Sequence, residues 1–155
     1  MGLARPFFGE MIYADPLEVA IDGARQTSLE ELLAEADVIV VACLLTEDTH
    51  HLIDAAAFAR MKPTAFFINM ARGPIHDEAA LIAALQSGQI AGAGLDVTEE
   101  EPIADNSPLL TMDNTIITAH SLCWTDECFE DIARTALRSI VDVSRGHRPK
   151  HVVEA

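Results

Sequence analysis

A chain of 155 residues with half of them hydrophobic is long enough to bury a core and too apolar to be disordered. Its formal charge of −15 argues against a nucleic-acid-binding surface, which needs a basic patch. No apolar run reaches the ~18 residues of a membrane span, and MGLARPFFGE lacks the basic start and long apolar stretch of a secretory signal.

In chain order, residues 11–15 (MIYAD) read as a short strand. Residues 27–37 (TSLEELLAEAD) read as a helix: Ser28 and Glu31 stand at capping-box spacing, and Leu29, Leu32 and Leu33 form an apolar stripe. Residues 38–45 (VIVVACLL) make a continuous apolar run, expected of a parallel strand covered on both faces. Residues 54–61 (DAAAFARM) make a short helix that Pro63 stops. Residues 65–70 (AFFINM) are the next buried strand. Residues 76–88 (HDEAALIAALQSG) are a helix with acids in its first turn and Gly88 as its C-terminal cap. Residues 90–97 (IAGAGLDV) form a fourth strand, with glycines where neighbours can approach closely. A fifth lies in residues 114–120 (NTIITAH). The last helix runs from near Thr125 to about Ser144, with Ile132, Ala136, Ile140 and Val143 on one face, and Gly146 and Pro149 end it. Strands alternating with helices imply a parallel sheet with right-handed crossovers, an α/β fold of the Rossmann-like doubly wound class.

In such a sheet, ligands bind beyond the carboxyl ends of the strands. Arg72 follows one apolar strand run, Asp96 and Glu101 follow another, and His120 follows a third. A guanidinium, carboxylates and an imidazole delivered there suit a carboxylate-bearing substrate and the movement of a proton. Glu101 alone is not distinguished from Glu99 and Glu100 by its type. The three cysteines are too few, and odd in number, for a disulfide framework, and Cys43 reads as a buried hydrophobe. His120, Cys123 and Cys128 fit no common zinc spacing, so no metal is expected. His50, His51, His76, His147 and His151 read as surface residues.

INMARGPIHDEAALIAALQSGQIAGAGLDVTEEEP, followed by NTIITAH, closely resembles the D-isomer-specific 2-hydroxyacid dehydrogenases, and the resemblance extends from RPFFGEMIYADP to PKHVV. It implies an NAD-dependent oxidoreductase that transfers hydride between a 2-hydroxy acid and a 2-keto acid, in a cytoplasmic and usually dimeric protein. By resemblance, Arg72 in ARG grips the substrate carboxylate, His120 in ITAH is the catalytic histidine, and Glu101 orients it. Asp96 corresponds to the acid near the nicotinamide, and Asp15 in YADP to the residue that hydrogen-bonds the adenosine ribose and disfavours a 2′-phosphate. Cys43, Met70 and Ala71 occupy positions whose main chain lines the cofactor.

Some residues depart from the family pattern. Leu44 stands where members usually carry proline, and Ala119 precedes His120 where many have proline. The segment after the histidine is SLCWTDE, with Trp124, in place of a small-residue stretch. The family's cofactor domain opens with a strand and a GxGxxG turn, and neither occurs in this sequence. Residues 2–10 (GLARPFFGE) instead resemble the interior of the family's first helix. The reading is therefore an N-terminally truncated NAD-binding domain over residues 1–155, without the family's substrate domain. The missing strand belongs between those continuing MIYAD and VIVVACLL, so the region of residues 11–15 is expected either to loosen or to find a rearranged or intermolecular pairing, which favours self-association. The isolated chain is expected to bind NAD weakly and to be inactive. The competing readings are a non-catalytic Rossmann-fold binding or regulatory protein and an inactive remnant.

Overall fold

Parallel pairing of the apolar runs organises the protein. The computed structural model describes residues 9–152, so residues 1–8, where the family's first helix was expected, lie outside the description. The elements are β1 (Ile12–Tyr13), β2 (Arg25–Gln26), α1 (Leu29–Glu35), β3 (Val38–Val41), α2 (Ala55–Arg60), β4 (Phe66–Asn69), α3 (Glu78–Ser87), β5 (Gly92–Leu95), β6 (Thr115–Ile117) and α4 (Asp126–Ser144). Strands β3, β4, β5 and β6 form one parallel sheet in that order. All four therefore deliver their carboxyl ends to one edge, as the expected Rossmann-like fold requires.

Strand β1 stands outside that sheet. It pairs in parallel with β2, a strand not anticipated from the sequence, with Ile12 opposite Arg25 and Tyr13 opposite Gln26. This is the outer pair of the 3-2-1-4-5-6 order, so β2 does not stand in for the strand expected between β1 and β3. The pairing is short and exposed, and charge supports it. Arg25 reaches Glu10 at 3.0 Å, Glu31 at 3.3 Å and Glu35 at 2.7 Å, joining the small sheet to α1.

The chain forms two compact units, one ending at Ala119 and the other beginning at His120. In the first, α1, α2 and α3 pack over one face of the four-stranded sheet. Leu33, Ile39, Val41, Phe58, Phe67, Leu81, Leu85 and Leu95 are buried there, and Phe58 meets Phe67 edge to face at 5.2 Å. Each such burial stabilises by about 1.5–3 kcal/mol relative to exposure. The opposite face is open: Val38 is 37% exposed, Val40 51% and Phe66 49%. The expectation that the run beginning at Val38 is covered on both faces is therefore corrected. Only Ile39 and Val41, on the helix side, are buried in β3.

The helix ends follow local chemistry. The Ser28 hydroxyl accepts from the Glu31 amide. Glu31 does not complete the reciprocal box, because its carboxylate takes the Thr27 hydroxyl and Arg25. Asp54 and Asp77 cap α2 and α3 in the same way. Gly88 closes α3 at φ 69°, a left-handed conformation that favours glycine.

The second unit contains α4. Thr125 caps it by accepting from the Cys128 amide, and Asp126 and Glu127 lie in its first turn, where the helix dipole favours acids. Its range agrees with the expected one. Its apolar residues, including Phe129, Ile132, Ile140 and Val143, are exposed, and none of its residues is buried. No helix among the described residues is long and apolar enough to cross a membrane.

Candidate active site

The best-built part of the sheet edge is the turn that carries Arg72. Strand β4 ends at Asn69, whose side chain is fully buried. Its Oδ1 accepts from the Ala71 amide at 3.0 Å. Its Nδ2 donates to the Arg72 carbonyl at 2.9 Å and to Nδ1 of His76 at 2.9 Å. Arg72 is extended, at φ −144°, and a 3₁₀ turn over Gly73–Ile75 follows. The turn closes on itself through the Ile75 amide to the Arg72 carbonyl at 3.2 Å and the His76 amide to the Gly73 carbonyl at 3.0 Å. A preceding segment pins its outer side: the His51 amide donates to Pro74 at 2.8 Å and the Ile53 amide to Ile75 at 3.1 Å.

Gly73 is there because of close approach. A β-carbon at this position would lie 1.9 Å from the carbonyl oxygen of Thr98. Two backbones, after β4 and after β5, therefore touch. Arg72 itself is exposed, and its Nη1 donates to the Ala71 carbonyl at 2.6 Å.

The loop after β5 is tied to the same cluster. The buried Asp96 donates its amide to the Asn69 carbonyl at 3.0 Å, and its Oδ1 accepts from the Thr118 hydroxyl at 2.5 Å. The three glutamates separate by contact. The Glu99 carboxylate meets Nε2 of His51 at 2.5 Å, and its amide donates to Glu78 of α3 at 3.1 Å. The Glu100 carbonyl accepts from the Thr98 hydroxyl at 2.7 Å. Glu101 is exposed and its Oε1 accepts from the Thr98 amide at 3.2 Å.

Asp15 is exposed, and its Oδ1 accepts from the Leu17 amide at 2.8 Å, the aspartate turn that precedes a proline so often. Met70 is 49% exposed and Ala71 is half-buried beside Arg72. Cys43 is exposed, which corrects its reading as a buried hydrophobe: strand β3 ends at Val41, two residues earlier. Its thiol is still partly screened from water, and that desolvation holds its pKa above the usual range. His120 opens the second unit, exposed and at φ 50°. Among the described residues no group of three His, Cys, Asp or Glu side chains is placed to hold a metal ion.

Sequence reasoning missed His76. It was read as a surface residue and is fully buried, edge to face with Phe67 at 5.5 Å. Burial drives its pKa from 6.5 down to about 4, so the ring is neutral. A signal was available. His76 immediately precedes Asp77, the N-cap of α3, and the residue before a cap commonly packs inward against the helix.

The comparisons with known proteins agree with this geometry. The sequence profile described as "D-isomer specific 2-hydroxyacid dehydrogenase, NAD binding domain" matches residues 1–121. Glyoxylate/hydroxypyruvate reductase B of Klebsiella pneumoniae is 47% identical over 130 residues, which is 84% of this chain and 40% of that protein. The chain thus spans well under half the length of this curated relative. Among solved structures, the Lactobacillus jensenii D-lactate dehydrogenase with NAD+ superposes with a TM-score of 0.85 at 29% identity, covering 94% of this chain and 48% of that one. A D-isomer specific 2-hydroxyacid dehydrogenase from Xanthobacter autotrophicus Py2, in complex with NADPH and MES, gives a TM-score of 0.81 at 36% identity, covering 92% and 60%. The parallel sheet, the turn that carries Arg72 and the extent of the profile match together mean that this chain belongs to the D-isomer specific 2-hydroxyacid dehydrogenase family, in the region of its NAD-binding domain.

Proposed function

We propose that this chain provides the cofactor-side half of an NAD-dependent oxidoreductase that interconverts a small 2-hydroxy acid and its 2-keto acid. The observation that carries the reading is the Arg72 turn: an exposed guanidinium on a backbone held by buried hydrogen bonds, at the carboxyl end of a central strand. A guanidinium there holds a carboxylate through two parallel charge-assisted bonds and so orients the substrate. His120 takes the proton of the 2-hydroxyl in oxidation and returns it in reduction. By the family resemblance, Glu101 is the carboxylate that orients this histidine. The likeness to glyoxylate/hydroxypyruvate reductases points to glyoxylate and hydroxypyruvate as the first 2-keto acids to try.

The residues present fit part of a nicotinamide dinucleotide. The exposed carboxylate of Asp15 suits ribose hydroxyls and opposes a 2′-phosphate, which favours NAD over NADP. The open edge after β3 and β4, with Cys43, Met70 and Ala71, offers main-chain groups and apolar surface to the cofactor, and Asp96 lies at the end of β5. The sequence contains no GxGxxG turn for the pyrophosphate. When bound, the cofactor supplies or accepts the hydride.

The experiment is a chimera in which residues 11–152 replace the matching part of the Klebsiella reductase, assayed by NADH oxidation against a panel of 2-keto acids. The chimera is expected to turn over, and His120→Gln to lower kcat by ~10²- to 10⁴-fold with little change in NADH affinity. Unchanged turnover in His120→Gln removes the assignment. The 155-residue chain alone is expected to bind NADH no tighter than about millimolar, the weak end of the affinity scale.

A further inference from the structure

The buried histidine has a use that packing does not explain. Between Asn69 and His76 the chain makes a loop with Arg72 near its tip, and the two residues at its base are joined side chain to side chain at 2.9 Å. Both are fully buried. The Asn69 amide cannot turn over freely, because Oδ1 is engaged by the Ala71 amide and Nδ2 by the Arg72 carbonyl. Its second N–H must therefore point at an acceptor, and Nδ1 of His76 is that acceptor. The imidazole proton is then on Nε2, which is buried with no hydrogen-bond partner. A buried donor without a partner costs about 1–3 kcal/mol. An aliphatic side chain would fill the same space without that cost. What the imidazole adds is an acceptor directed at Asn69.

We propose that His76 is a positioning residue for the substrate-binding arginine: through Nδ1 it holds the Asn69 amide, and the amide holds the two peptide groups on either side of the Ala71–Arg72 bond. This rests on Arg72 being the carboxylate-binding residue. The chain of bonds runs from the His76 ring to Asn69, from Asn69 to the Ala71 amide and the Arg72 carbonyl, and so to the backbone from which the guanidinium extends. Gly73 against Thr98, and His51 against Pro74, confine the outer side of the loop but do not fix the Ala71 and Arg72 peptides. Among the described residues, the Asn69 side chain is the group that bonds to both.

The test combines a spectroscopic signature with two variants. In the chain itself, nitrogen-detected imidazole spectra are expected to show His76 neutral with its proton on Nε2; a proton on Nδ1 overturns the proposal. Amide hydrogen exchange is then compared in His76→Leu and His76→Gln. In His76→Leu the Ala71 amide should exchange about tenfold faster, the effect of losing roughly one hydrogen bond. The Leu81 and Phe67 amides should be as protected as before or more so, because an unsatisfied donor has been removed. His76→Gln supplies a new acceptor oxygen and should restore Ala71 protection. Protection that falls equally at all three amides, or is unchanged at Ala71, overturns the proposal. A ligand arm uses the Klebsiella chimera and oxamate, an unreactive 2-keto acid analogue. His76→Leu should weaken oxamate about tenfold without changing NADH binding. If Arg72→Ala weakens oxamate and His76→Leu does not, the positioning role is overturned. If Arg72→Ala has no effect on oxamate, the reading of Arg72 fails, and His76 is judged on the exchange data alone.

Discussion

The Arg72 turn and the Asp15 turn both follow parallel strands, yet they are built in opposite ways. The Arg72 turn is closed by a buried amide, a buried imidazole, a 3₁₀ turn and a glycine against a neighbouring backbone. The Asp15 turn follows a two-residue strand and is held by an exposed carboxylate bonded to its own chain two residues on. The first is set by buried contacts; the second is exposed, held by Asp15 itself and by the Gln26 side-chain amide, which donates to the Asp15 and Leu17 carbonyls at 3.0 and 2.8 Å. In the role proposed for it, Arg72 gains from a rigid base, because small misplacements of a substrate are costly in the transition state. Asp15, proposed to accept from ribose hydroxyls and oppose a 2′-phosphate, sits on the exposed base.

The comparison can be broken at several points. The largest effect is expected from Gly73→Ala. The new methyl meets backbone, not a flexible side chain, so the loops after β4 and β5 must move apart. The cost should be about 3 kcal/mol or more, lowering Tm by roughly 10 °C in calorimetry. A variant that melts with the parent would mean the two loops are not packed as described.

Acid is the next probe. His76 has a folded pKa of about 4, below its ordinary 6.5, because burial disfavours the charged ring; Glu99 and Asp77 act against that shift, and His51 adds to it. Between these values the unfolded chain binds a proton at His76 and the folded chain does not. Stability from this group is thus complete above about pH 6.5 and is lost as pH falls towards 4, by on the order of 3 kcal/mol. In denaturant titrations, the stability of His76→Leu relative to the parent should rise as pH falls across that window. Parallel pH profiles for the two proteins would contradict the burial of the ring.

The smallest effect is expected at Asp15. Asp15→Asn keeps an acceptor for the Leu17 amide and sits at an exposed position, so stability should change by no more than about 0.5 kcal/mol. In the chimera the same change should raise the relative rate with NADPH over NADH. An unaltered cofactor ratio would remove Asp15 from the ribose site.

Much of this was legible in the sequence. The cap at Ser28, the start of the last helix near Thr125 and the stop at Gly88 were readable because a helix end depends on residues within one turn of itself. The Phe66–Asn69 and Gly92–Leu95 strands were readable because continuous apolar runs between helical patterns leave few alternatives. Strand β2 was not, because Arg25 and Gln26 carry no apolar pattern; they pair because β1 lies beside them and because three glutamates gather round Arg25.

The sequence by itself determined the order of the elements other than β2, the ends of the helices and the family, since each of these is written in neighbouring residues or in motifs at ordinary spacings. Tertiary structure alone decided which side chains meet. It exposed Cys43, buried His76, left Val38 and Val40 open on one face of the sheet, and distributed the three glutamates among different contacts. The physical reason is that burial and hydrogen-bond partnership depend on segments far away in the chain. The turn chemistry that makes Arg72 available was local, but the buried pair that holds it joins residues seven apart and is enclosed by a core drawn from three helices and three strands.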